Sequence, residues 1–101
     1  MNKQQQWHSK SAVLVTGGDS GFGEIASRTL LEKGFCVFIG CLKVEEAKKT
    51  YSAELENKNY QDKIHLLQMD ITDIAQVNAC FEIVKKWLSK NKNYRNFTFH
   101  F

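Results

Sequence analysis

The chain has 101 residues, 43% of them hydrophobic and 25% charged, with a formal net charge of +3 at pH 7. This mix is that of a soluble globular protein; it excludes a disordered or collagen-like chain, and the length admits one small domain. No apolar run reaches the ~18–20 residues of a membrane helix, and the opening lacks the ~7–15-residue apolar core of a signal peptide, so the default expectation is a reducing, cytoplasmic setting.

After a polar leader (1–11), Ala12-Val13-Leu14-Val15-Thr16 is rich in β-branched residues and ends in glycines, as a buried strand does. Ile25, Ala26, Thr29 and Leu30 then recur at helical spacing, and Gly34 is placed to stop that helix. Phe35-Cys36-Val37-Phe38-Ile39 predicts a second strand closed by Gly40. Cys36 and Cys41 would fall on opposite faces of it, roughly 16 Å apart at ~3.3 Å per residue, too far for a disulfide. With Cys80 they read as buried thiols. Val44, Ala47, Tyr51 and Leu55 mark one face of a second helix.

The third apolar run, Ile64-His65-Leu66-Leu67-Gln68-Met69, ends at Asp70. Thr72 is the expected N-cap of the next helix, with Asp73 in its first turn. Ile74, Val77, Phe81, Val84 and Leu88 give that helix its stripe. Its end is basic. Residues 1–84 carry 9 basic and 11 acidic groups (9 − 11 = −2), whereas 85–101 carry Lys85, Lys86, Lys90, Lys92 and Arg95 and no acid (+5). Cations suit a helix C-terminus, and no nucleic-acid motif or stacking series accompanies them, so no nucleic-acid partner is expected. No metal-ligand spacing occurs among His8, His65, His100 and the cysteines. Trp7 and Trp87 read as packing groups. Alternating strands and helices predict an α/β fold around a parallel sheet covered on both faces.

The informative stretch is Thr16-Gly17-Gly18-Asp19-Ser20-Gly21-Phe22-Gly23, between the first strand and the first helix. A βα turn there presents backbone N–H groups and the positive helix end at the carboxyl edge of the sheet, and glycines let a pyrophosphate approach. Gly17 would make the turn, Gly21 the close approach and Gly23 the tight helix–strand packing. Asp19 and Ser20 are placed to bind ribose or phosphate, or to cap the helix. No Gly-Lys-Ser/Thr follows, so a nucleoside-triphosphate loop is not expected.

In these residues the sequence resembles the short-chain dehydrogenase/reductase family, whose TGxxxGxG motif Thr16, Gly17, Gly21 and Gly23 match. Gly18-Asp19-Ser20-Gly21-Phe22-Gly23, with Gly34-Phe35-Cys36-Val37-Phe38-Ile39-Gly40-Cys41-Leu42 behind it, looks like the branch of retinol, hydroxysteroid and 3-hydroxybutyrate dehydrogenases. Leu67-Gln68-Met69-Asp70-Ile71-Thr72 matches the family's third-strand ending, and the likeness spans about residues 11–90. It implies a Rossmann-type doubly wound parallel sheet, here incomplete, with three βα units. It also implies a nicotinamide cofactor, NAD with NADP as the alternative. Gly17, Gly21 and Gly23 would line the pyrophosphate, with Ser20 and Phe22 contributing turn contacts; Asp70 would take the adenine amino group, with Ile71 packing or hydrogen-bonding beside it. Where an acid reads the NAD ribose or an Arg the NADP phosphate, this sequence has Cys41, Leu42 and Lys43.

The family's catalytic Tyr-x-x-x-Lys pair is absent, since Tyr51, Tyr60 and Tyr94 precede Leu55, Ile64 and Thr98 at that spacing. No catalytic residue is therefore assigned, and the chain reads as the cofactor-binding part of a longer enzyme for a small lipophilic alcohol or ketone, of retinoid, steroid or hydroxy-acid type. The expected division is the leader (1–11), a partial dinucleotide-binding domain (12–91) and a divergent tail (92–101). In the tail, alternating Phe97, Phe99 and Phe101 predict a short fourth strand or an unstructured aromatic end. The alternative to a cofactor module is an inactive form that associates through an unfinished sheet edge.

Overall fold

A computed structural model describes residues 8–19 and 21–100; Trp7, Ser20 and Phe101 lie outside them. The strands are β1 (Ser11–Val15), β2 (Cys36–Cys41), β3 (Ile64–Gln68) and β4 (Asn96–His100). All pairings are parallel, in the order β3-β2-β1-β4, so the chain returns across β1 to add β4 on its far side. Every residue of β1 and β2 is buried, which is why both read as unbroken apolar runs. The four-stranded parallel sheet with helices on both faces is the expected Rossmann-like α/β architecture, and the short fourth strand exists.

The helices are α1 (Gly21–Glu32), α2 (Val44–Thr50), α3 (Ser52–Glu56) and α4 (Ile74–Lys90). Alternation along the strands sends side chains to two cores. Val13, Val15, Val37, Ile39 and Cys41 meet Leu31, Ala47 and Tyr51 on the side of α1 and α2. Ala12, Leu14, Cys36 and Phe38 meet Met69, Cys80 and Val84 on the side of α4. Cys36 and Cys41 thus do lie on opposite faces, and all three cysteines are free and buried. Burial pushes the Cys36 thiol up to about 12 and that of Cys41 up to about 11, so neither is a thiolate at neutral pH. Trp87 packs edge-on against Phe38 and His65, as a core group.

Several local expectations are corrected. β1 starts at Ser11 and stops at Val15, one residue early at each end. β2 continues through Gly40 to Cys41, because Gly40 and Cys41 still pair with Leu67 and Gln68. The second helix is broken at Tyr51, although Tyr51 N–H to Ala47 O (2.9 Å) and Leu55 N–H to Tyr51 O (2.8 Å) carry the bonding across; Leu55 is exposed. On α1 the buried positions are Ser27 and Leu31, while Ile25 is 64% exposed. The face nearest the sheet runs Gly23, Ser27, Leu31, small where the glycine turn brings the helix start in closely, and Ser27 donates its hydroxyl to Gly23 O at 2.8 Å. The N-cap of α4 is Asp73, whose Oδ1 accepts from Ala75 N (3.0 Å) and Gln76 N (3.4 Å); Thr72 is drawn instead to Asp70, and Ile74 is left exposed. Among the described residues no helix is long and apolar enough to cross a membrane.

Candidate functional site

The topology places the first βα turn where strand order reverses between β1 and β4, the position at which open α/β sheets bind ligands. The turn has an inner and an outer side. Gly17 (φ +65°) and Gly21 (φ +51°) are left-handed, and a Cβ built on either meets nothing within 4 Å, so their outer side is open. A Cβ on Gly23 would collide with the Gly17 carbonyl, and one on Gly18 with Ile39. Backbone N–H groups and a helix start facing open space are the elements of an anion cradle.

The turn is anchored from below through Gly18. Its N–H donates to Gly40 O (3.1 Å), and its carbonyl accepts from the hydroxyl of Tyr51, a fully buried side chain. Burial raises the Tyr51 hydroxyl above the ordinary tyrosine range, keeping it a protonated donor. Arg28 lies over the Tyr51 ring at 5.1 Å and donates to Glu54 Oε1 (2.7 Å) and Thr50 O (2.9 Å), besides pairing with Glu24. α1 is thereby tied to α2 and α3 directly behind the turn.

Beside the turn, a cleft of about 430 Å³ is lined by Thr16, Gly17, Asp19, Leu42, Met69, Asp70, Ile71 and Thr72. Leu42 and Ile71 are 57% and 60% exposed, paired aliphatic walls of the kind that cover a planar ring. Asp19 Oδ2 accepts from Leu42 N–H at 2.9 Å, and Leu42 O accepts from Gln68 Nε2 at 2.6 Å. Asp70 Oδ1 accepts from the Thr72 hydroxyl (2.6 Å) and N–H (2.9 Å). These bonds, the hydroxyl's foremost, hold the Asp70 carboxyl below the usual carboxylate range.

Of the residues singled out in the sequence, Gly17, Asp19, Leu42, Asp70 and Ile71 share this cleft. Gly21, Phe22 and Gly23 form the first turn of α1, with Phe22 88% exposed. Ser20 lies outside the described residues. Cys41 is not a lining residue: it is buried, its thiol donating to Ile39 O and Leu67 O, because the alternation of β2 turns it into the core. Thr16, Met69 and Thr72 also line the cleft; they belong to the matched motifs but had been given no contact with a cofactor. Tyr51 was read only as a core position, and helical spacing carries no sign of its bond to Gly18. The outer side of the turn is open at Gly17 and Gly21, and the cleft beside it is walled by the aliphatic Leu42 and Ile71 and the acidic Asp19 and Asp70.

Residues 11–90 match the family described as short chain dehydrogenase. The chain is 43% identical over 68 residues to estradiol 17-beta-dehydrogenase 2 of Rattus norvegicus, covering 67% of this chain and 17% of that protein. It is 36% identical over 80 residues to the mitochondrial D-beta-hydroxybutyrate dehydrogenase of the same species, covering 79% of this chain and 23% of the relative. The crystal structure of 3-hydroxyacyl-CoA dehydrogenase type-2 from Mycobacterium avium superposes with a TM-score of 0.63 at 24% identity, over 99% of this chain and 34% of that one, a likeness of fold. The chain thus spans about a fifth of the length of these two curated relatives.

Proposed function

The chain belongs to the short-chain dehydrogenase family, and from that membership we propose that it binds the ADP-ribose half of a nicotinamide dinucleotide, NAD in preference to NADP. The observation that carries this reading is the glycine turn, packed tightly inward at Gly18 and Gly23 and open outward at Gly17 and Gly21. The diphosphate would lie on the N–H groups of the turn and the first turn of α1, where the helix dipole favours negative charge. Adenine would sit between Leu42 and Ile71. Asp70, an ionised acceptor, would take a hydrogen bond from its amino group.

The bound cofactor supplies hydride transfer. In the whole protein the reaction would interconvert an alcohol and a carbonyl on a small lipophilic substrate of steroid or hydroxy-acid type. That proposal draws support from the relatives named for estradiol and D-beta-hydroxybutyrate. Within these 101 residues no tyrosine is followed four positions later by lysine, so the chain's own part is to hold and orient the cofactor. NADH titrated into the folded chain is expected to show enhanced fluorescence and raise the melting temperature, with a dissociation constant on the order of 1 mM, about −4 kcal/mol. No response from a sample that melts cooperatively overturns the reading.

A second reading concerns association. β4 is an edge strand, Phe97 and Phe99 are 38% and 43% exposed, and apolar grooves flank them on both faces of the sheet. Such an edge is a template for pairing with a second copy.

A further inference from the structure

We propose that Asp19, reaching across from the glycine turn, rather than any residue of β2, makes the cleft reject a 2′-phosphate on the adenosine ribose and accept a free 2′-hydroxyl. The proposal rests on the dinucleotide reading above and adds the group that selects between its two forms. In a Rossmann-type sheet the ribose lies at the carboxyl end of the second strand, and an acid there accepts from its hydroxyls. β2 itself brings no charge to that place. It ends at Gly40-Cys41, followed by Leu42, with the Cys41 thiol turned into the core. A carboxylate is nevertheless present, supplied from elsewhere in the sequence: Asp19 Oδ2 lies 2.9 Å from Leu42 N.

That carboxylate is fixed in position. Leu42 is held on its other side by the Gln68 side chain at 2.6 Å, and β2 is paired with β3 through Cys41 and Gln68. Asp19 therefore stands on a sheet-anchored peptide and lines the same cleft as Asp70 and Ile71. A carboxylate has about four acceptor sites, so the bond from Leu42 leaves capacity for a ribose hydroxyl. A phosphate carries up to about two negative charges at neutral pH and offers only acceptors, so it meets a like charge there. The cation nearest in sequence, Lys43, is directed elsewhere: its side chain is 72% exposed and its Nζ lies 3.8 Å from Glu46 Oε1 in the first turn of α2.

The test uses the full chain with two probes, adenosine 5′-diphosphate and its 2′-phosphorylated counterpart, titrated by calorimetry. The wild type is expected to favour the unphosphorylated probe by about tenfold or more, a ratio that narrows as ionic strength rises from about 0.01 M to about 1 M and the Debye length shrinks from ~30 Å to ~3 Å. Asp19→Asn keeps an acceptor for Leu42 N–H and removes the charge. It should bring the ratio to within about threefold. Lys43→Ala should leave the ratio as it is. Equal binding of both probes by the wild type, a preference for the phosphorylated one, a ratio unmoved by Asp19→Asn, or a ratio set by Lys43 would each overturn the assignment of Asp19 while leaving the cofactor site intact. If neither probe binds, the dinucleotide reading falls and this inference with it. Should Asp19→Asn fail to melt cooperatively, Asp19→Ser and the wild-type salt dependence decide the question.

Discussion

One side chain and one missing side chain determine the shape of the glycine turn. At Gly23 the nearest atoms to an added Cβ are all backbone atoms of Gly17 and Gly18, so the helix can approach only because no Cβ is there. Behind it, Tyr51 donates to Gly18 O from within the core. Tyr51→Phe keeps the ring and its contact with Arg28 but leaves a buried carbonyl without that donor, which costs about 1–3 kcal/mol. Urea unfolding should show this loss, and NADH binding should weaken because the turn is less firmly held; unchanged stability would mean that the bond contributes nothing. Gly17, Gly21 and Gly23 were legible in the sequence because their spacing reflects a demand on the backbone itself. Tyr51 was not, since a stripe of Val44, Ala47 and Tyr51 says which way the side chain points and nothing of a partner 33 positions away.

Among the elements, β3 carries a titratable group inside an aromatic cluster. His65 stacks on Phe38 (4.5 Å) and meets Trp87 edge-on (5.2 Å), while its Nε2 donates to Asp62 O at 3.0 Å. Burial lowers its pKa from the ordinary 6.5, against a smaller upward pull from Asp62. The unfolded chain thus takes up a proton at a pH where the folded chain does not, so the stability that neutral His65 contributes is full above about pH 6.5 and is lost as pH falls below it. Thermal melting between about pH 7 and pH 5 should show a decline that His65→Phe flattens. Asp70, whose pKa is lowered from 3.8, contributes in a separate window, losing its share only at more acid pH. The element types were readable because long apolar runs and helical stripes average over many residues. Their fine placement was not. Asp73 rather than Thr72 caps α4 because Thr72 is committed to Asp70, and α1 buries Ser27 and Leu31 because of an approach distance set at Gly23. Both depend on neighbours that a linear pattern does not contain.

For the whole molecule, the two edges of the sheet differ. β3 is partly exposed, whereas β4, of the same length, presents aromatic side chains beside open apolar grooves. Light scattering is expected to show concentration-dependent association, abolished by Phe97→Lys with Phe99→Lys provided circular dichroism shows the sheet retained; a monomer at high concentration would remove the association reading. The pairing of Ser11 with Asn96 and of Val15 with His100 has a consequence for synthesis as well. One flank of β1 stays bare until β4, far along the sequence from it, has left the ribosome, so the nascent chain carries an uncapped hydrophobic ribbon through that interval. Chaperones that grip extended apolar stretches would find their substrate there, and release from them would have to wait for β4.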